Sequence, residues 1–297
     1  MTAPWLIVVA SFLFATMGVC VKLASSEYAS GEIVFYRGLT GALMMLALTR
    51  WRGGSLRTGV ASMHFWRCVS GVTALSLWFY SIGNLPLATA MTLNYMSSVW
   101  MALFLVGGAV ALGSARVDGR LIATVLLGFA GVALILRPTI AQQQLWYGLM
   151  GLLSGIIAAT AYLQVTALGR VGEPEYRIVF YFSIGSICAG ALSLLWAGGW
   201  HAHTVKGAAL LIAVGVLATA GQFMMTRAYS TGPTLVNASL QYLGIAFSFA
   251  YGVLLFGDVV TPMALLGMAL IVGAGLSATL LSRRSAAPDT ANAGLET

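Results

Sequence analysis

Two short polar clusters interrupt apolar runs of this chain, and both are built from amides and phenols. Around the first, Met91, Asn94, Tyr95 and Ser98 fall at i, i+3, i+4 and i+7, one face of a helix. The second repeats its pattern: Pro86 … Leu93-Asn94-Tyr95 reappears as Pro233 … Leu240-Gln241-Tyr242 with the same internal spacing. Carboxamides both donate and accept hydrogen bonds. Asn94 and Gln241 can therefore hold the ammonium and carboxylate of a zwitterion without burying a charge of their own. Asn237, four residues before Gln241, shares its face. Trp78, Tyr80, Tyr95, Trp100, Tyr162 and Tyr242 add aromatic surface on which an apolar or aromatic solute can stack. These nine residues form the expected substrate-binding set, with Phe14 as a weaker addition.

The elements that carry them are membrane spans. Of 297 residues, 59% are hydrophobic and only 8% charged, against roughly 25% charged in soluble domains. Mean hydropathy is +0.91. A water-soluble core cannot hide that much apolar surface, so the expectation is an all-α, multi-pass protein in a lipid bilayer. Ten apolar runs are near the ~20 residues a bilayer needs: 4–24, 32–49, 65–83, 87–112, 119–136, 146–169, 176–196, 207–229, 234–256 and 260–282. The first lacks the basic leader and small-residue cleavage site of a signal peptide and reads as a span. The tail 285–297 is small, polar and expected to be disordered.

Basic residues sort by side. Arg50, Arg52, Arg57, Arg67, Arg116, Arg120, Arg170, Arg177, Arg283 and Arg284 fall on the N-terminal side of the spans, against Lys22, Arg137 and Lys206 opposite. Ten against three places both termini in the cytoplasm. The net charge of +7 is thus a topology signal and implies no nucleic-acid partner. A second internal match supports two halves. Ile33-Val34-Phe35-Tyr36 opens the second span and Ile178-Val179-Phe180-Tyr181 opens the seventh. With the Pro…LNY/LQY pair this divides the chain into five-helix repeats at 1–138 and 139–284. Five is odd, so the second repeat enters the membrane inverted, a plan that builds an outward and an inward gate. Asn94–Tyr95 and Gln241–Tyr242 then lie at matching depths, as outer and inner gate elements.

This arrangement resembles the drug/metabolite transporter superfamily of EamA type. The resemblance rests on ten spans in two inverted halves, Arg37 early in span two, and Pro86 and Pro233 before spans four and nine. Within that superfamily the aromatic content is most similar to bacterial aromatic amino acid exporters. The resemblance implies a central cavity bounded by both halves in a bacterial-type cytoplasmic membrane, with export of aromatic or large hydrophobic amino acids. Another small neutral metabolite or drug is the alternative cargo. The chain departs from the common pattern at the end of span four, where Gly113-Ser114 replaces the acid that Gly257-Asp258 keeps.

Absences narrow the chemistry. All eight acidic residues fall in connections, at span edges or in the tail. No carboxylate is therefore expected at mid-membrane to neutralise a lipophilic cation or relay a proton, and the cavity is expected to be uncharged. Lys22 and Arg37 are read as snorkelling or paired near Glu27 and Glu32, and Gln222 as a packing hydrogen bond. Cys20, Cys68 and Cys188 have no metal-ligand spacing. With no GxSxG, no HExxH and no histidine placed against a serine, neither cofactor, metal nor catalysis is expected.

Overall fold

The computed structural model describes residues 2–111, 144–196, 200–259 and 261–285, with 123, 127, 130, 131 and 134. Most of the fifth expected span, Arg116, Asp118, Arg120, Arg137, Gly113-Ser114, the boundary at 138–139 and the tail from 286 lie outside the described residues.

Every regular element among the described residues is helical, as backbone groups in hydrocarbon require. The helices are α1 (Ala3–Ala24), α2 (Ser30–Trp51), α3 (Ala61–Asn84), α4 (Leu87–Tyr95), α5 (Ser97–Ala111), α6 (Leu145–Arg170), α7 (Glu175–Trp196), α8 (Val205–Thr231), α9 (Thr234–Leu240), α10 (Leu243–Phe256) and α11 (Pro262–Ser285). Six stretches among the described residues are long and apolar enough to cross a membrane: α1, α2, α6, most of α7, α8, and a run through α9 and α10.

The closest pairings are α2 with α7, α1 with α8, and α3 with α6. Glycine brings the backbones of α2 and α7 together. A Cβ on Gly38 would stand 2.7 Å from the Ser183 carbonyl, and one on Gly190 would stand 2.6 Å from the Phe35 amide nitrogen. Near these contacts the repeated tetrapeptides bury Ile33, Val34, Ile178 and Val179. Gly131 of the fifth expected span likewise meets α11, where its Cβ would be 2.7 Å from the Gly267 carbonyl.

Expected spans four and nine are each divided in two. The first divides at Met96, between α4 and α5. Thr92 Oγ1 bonds back to the Ala88 carbonyl at 2.6 Å, a contact that bends helices. Beside the break Gly155 of α6 lies directly on the chain, its Cβ position 2.7 Å from the Leu93 carbonyl and 2.9 Å from that of Asn94. The second divides at Gln241–Tyr242. The two breaks meet. Ser98 Oγ donates to the Ala238 carbonyl at 2.9 Å, and the Tyr95 ring packs on Gly244, where a Cβ would stand 2.6 Å from the phenol oxygen. Both LNY and LQY motifs thus sit where a spanning run is divided.

Candidate functional site

A narrow cavity, with ≈ 50 Å³ free to a water-sized molecule, lies where α1, α2, α3, α4, α6, α7 and α8 converge. Its walls include Phe14 and Met17 from α1, Trp78 from α3, Asn94 and Tyr95 from α4, Tyr162 from α6, and Gln222 and Met225 from α8. Helices on both sides of the 138–139 division contribute.

Of the nine residues expected from sequence, the structure brings Trp78, Asn94, Tyr95 and Tyr162 to this cavity. Trp78 makes edge contacts with Phe14 (centroids 6.5 Å apart) and tilts toward Tyr95 (6.5 Å). Tyr162 stacks on Tyr229 at 5.5 Å and 10°. Asn94 Nδ2 donates to Ser154 Oγ at 2.9 Å, and that hydroxyl donates to the Gly151 carbonyl at 2.6 Å, so one face of the carboxamide is held by α6. Gln222, read first as a packing hydrogen bond with substrate contact as the alternative, lines the cavity as well.

The other five lie elsewhere. Tyr80 is half-exposed against Tyr147. Trp100 packs on Phe104. Asn237 is buried and donates to the Ala228 carbonyl at 2.6 Å, closing the α8–α9 turn. Gln241 is buried at the second break, away from the cavity lining. Tyr242 borders a lateral apolar groove formed with residues of α10 and α11. The motif repeats in sequence, yet only its first copy reaches the cavity.

The expectation of an uncharged cavity is corrected. Arg37 and Arg67 both line it, 4% and 2% exposed. Each guanidinium lies against Phe182, at 4.7 and 4.2 Å from the ring centroid. Arg37 does not snorkel to Glu32; that carboxylate is taken by His201, whose backbone N–H and Nδ1 lie at 2.8 and 2.6 Å. Sequence reading places Arg67 with the basic residues at a span end, because hydropathy starts that span at 65. Helix α3 begins at Ala61, so Arg67 lies more than a turn inside the helix. Gly71, one turn further on, leaves room for its guanidinium, since a Cβ there would collide with Arg67 Nη1. An arginine within the first turns of a span and a glycine four residues later was the available sequence signal.

Carboxylates instead sit at the two ends of the bundle. At one end Lys22 Nζ donates to the Leu85 carbonyl at 2.8 Å and lies 3.9 Å from Asp258, whose Oδ2 accepts the Leu87 N–H at the start of α4. At the other, Glu173 in the α6–α7 connection accepts from Thr58 Oγ1 (2.9 Å) and Arg177 Nη1 (3.0 Å) and meets His64 Nε2 at 3.1 Å. Arg177 also donates to the Ser55 carbonyl at 2.8 Å. This cluster fastens the α2–α3 connection to the α6–α7 connection.

Burial alone raises the Glu173 pKa, but the bonds from Thr58, His64 and Arg177 outweigh it and hold the carboxyl below the usual range. A group more acidic folded than unfolded stabilises fully above its ordinary value of about 4.3 and loses that contribution as pH falls through the depressed one. The melting midpoint should therefore drop on acidification below about pH 4. Glu173→Gln should cost on the order of 2 kcal/mol at neutral pH and flatten that acid limb, as thermal scanning in detergent would read.

Comparison with known proteins gives the setting. Residues 1–137 match the EamA-like transporter family. A pseudopaline exporter from Pseudomonas aeruginosa is 34% identical over 90% of this chain and 92% of its own length. A riboflavin transporter from Rhizobium johnstonii is 25% identical over 92% and 89%, and an S-adenosylmethionine uptake transporter from Rickettsia bellii 21% identical over 86% and 85%. A protein crystal structure shares the fold, with a TM-score of 0.69 over 96% of this chain and 99% of that one at 19% identity.

Proposed function

We propose a function from the premise that this chain belongs to the EamA-like transporter family and is a multi-pass membrane transporter, not an enzyme. In this reading it is an alternating-access exporter of a small organic solute across a bacterial-type cytoplasmic membrane, with both termini inside. The two halves, 1–138 and 139–284, are inverted repeats that rock about the central cavity. The observation that carries this reading is the meeting of two divided spans, through Ser98–Ala238 and Tyr95–Gly244, beside a cavity walled by both halves. The packing also exchanges under a swap of halves: α1 on α8 answers α6 on α3, and α2 on α7 answers itself. The polar clusters around Asp258 and Glu173, at opposite ends, are suited to serve as outer and inner gates.

The cargo has an apolar body and a carboxylate. Phe14, Trp78, Tyr95 and Tyr162 supply stacking surface, and Asn94 and Gln222 supply amide contacts. An exported aromatic or large hydrophobic amino acid is one such cargo. The pseudopaline exporter, by its name, favours outward movement. Flux from loaded proteoliposomes, measured over a panel of amino acids and larger metabolites, should identify at least one solute moved chemically unchanged. Conversion of a panel member to a new compound, or no movement across the whole panel, would overturn the reading.

A further inference from the structure

Arg37 and Arg67 place two guanidiniums in the cavity with almost nothing to balance them. Arg37 reaches Ser186 Oγ at 3.4 Å, and its Nε has no partner. Arg67 Nε and Nη1 have none. Among the described residues no ion pair involves either arginine, and no Asp or Glu lines the cavity. Their shared contact with Phe182 returns only part of the cost of desolvating two cations. Each guanidinium presents a planar fork that matches one carboxylate through two parallel N–H bonds. A simple amino acid fits poorly. It brings one carboxylate for two forks, so one guanidinium stays unpaired in the same cavity as its ammonium.

The geometry points to an organic dianion as the cargo: a solute with two carboxylates, one for Arg37 and one for Arg67, joined through an apolar or aromatic body that lies against Trp78 and Tyr95. The solute completes the electrostatics of the cavity, and its amine groups, where it has any, turn toward Asn94 and Gln222. This inference rests on the export reading above and deepens it by fixing the charge of the cargo.

The test uses full-length protein in detergent and in liposomes, with benzylsuccinate as an aromatic dianion, 3-phenylpropionate as a monoanion, phenylalanine as a zwitterion, and sulfate as an inorganic dianion. Benzylsuccinate should raise the melting midpoint by several degrees, 3-phenylpropionate by less, and phenylalanine and sulfate by nothing measurable. Arg37→Gln and Arg67→Gln should each weaken benzylsuccinate binding at least about tenfold. Should either variant fail to run as a monodisperse protein, Arg→Lys at the same position keeps the charge but loses the fork and should still weaken binding. Gly71→Ala, which displaces the Arg67 guanidinium without removing it, should do the same. No shift with benzylsuccinate, an equal shift with phenylalanine or sulfate, or full binding by both glutamine variants would overturn the inference. Arginine-dependent binding without flux would leave the site standing and remove the export reading. Phenylalanine flux indifferent to both arginines would do the reverse.

Discussion

Gly155→Ala should abolish most transport and lower the melting midpoint by more than Gly151→Ala, one turn earlier on α6. The added Cβ would stand 2.7 and 2.9 Å from two backbone carbonyl oxygens, those of Leu93 and Asn94, and neither can rotate away. Overpacking of this kind costs about 1–3 kcal/mol, and the site of strain is the division between α4 and α5. Gly151→Ala is the matched control. Its Cβ would meet Ser81 Oγ at 2.7 Å and Leu93 Cδ1 at 3.3 Å, both side-chain atoms free to shift. It should lose less than half as much stability and keep measurable flux. Parallel thermal scanning and proteoliposome flux on the two variants checks the contrast. Equal effects would mean that contact with the bared carbonyls does not matter.

Asn94→Leu and Gln241→Leu should behave oppositely, although the two amides occupy equivalent places in the repeated motif. Asn94 faces the cavity and holds Ser154. Its loss removes the proposed substrate contact and one hydrogen bond worth about 1 kcal/mol, and flux should fall at least about tenfold, the cost of a lost contact to a charged group. Ser154 keeps its bond to the Gly151 carbonyl, so folding should survive. Gln241 is 4% exposed and away from the cavity lining, and its Oε1 is buried without a hydrogen-bond partner. Replacing such a group with an apolar one relieves a desolvation penalty, so Gln241→Leu should be neutral or stabilising and retain most of its flux. Initial rates at equal reconstituted protein, with melting midpoints, decide this. Loss of flux in both variants would restore Gln241 as a matching gate.

Much of the helical plan is legible in the sequence because a bilayer leaves the backbone few choices. Apolar runs of membrane length must be helical, and their bounds agree with the structure to within a few residues for α1, α2, α6, α7 and α8. The divided spans are less visible. Leu87–Leu112 reads as one run because Met96, Ser97 and Ser98 carry no helix breaker. The division falls where Thr92 bonds back to its own helix and Gly155 approaches across space. The motif Leu-Asn-Tyr/Leu-Gln-Tyr marks both breaks, but its meaning for the cavity differs between copies because Asn94 faces α6 and Tyr95 faces α3 while Tyr242 faces α11.

The charged lining was hidden by the same rule that orients the chain. Basic residues at span ends are ordinarily membrane anchors, and Arg67 stands two residues from the hydropathic start of its run. Only the extra turn of α3 and the opening at Gly71 turn it inward. Arg37 is masked by Glu32, five residues earlier, which instead binds His201. Removing Arg67 from the ten inner residues leaves nine against three, so the orientation argument is unchanged.

The central claim, that one cavity opens in turn to each side of the membrane, is tested most directly by a single cysteine at Ala158, which lines the cavity and is 5% exposed. In a background with Cys20, Cys68 and Cys188 replaced, Ala158→Cys is treated with a membrane-impermeant thiol reagent in right-side-out and in inside-out vesicles. The account predicts slow modification from both faces. Modification from one face only, or none from either face while flux continues, would contradict it.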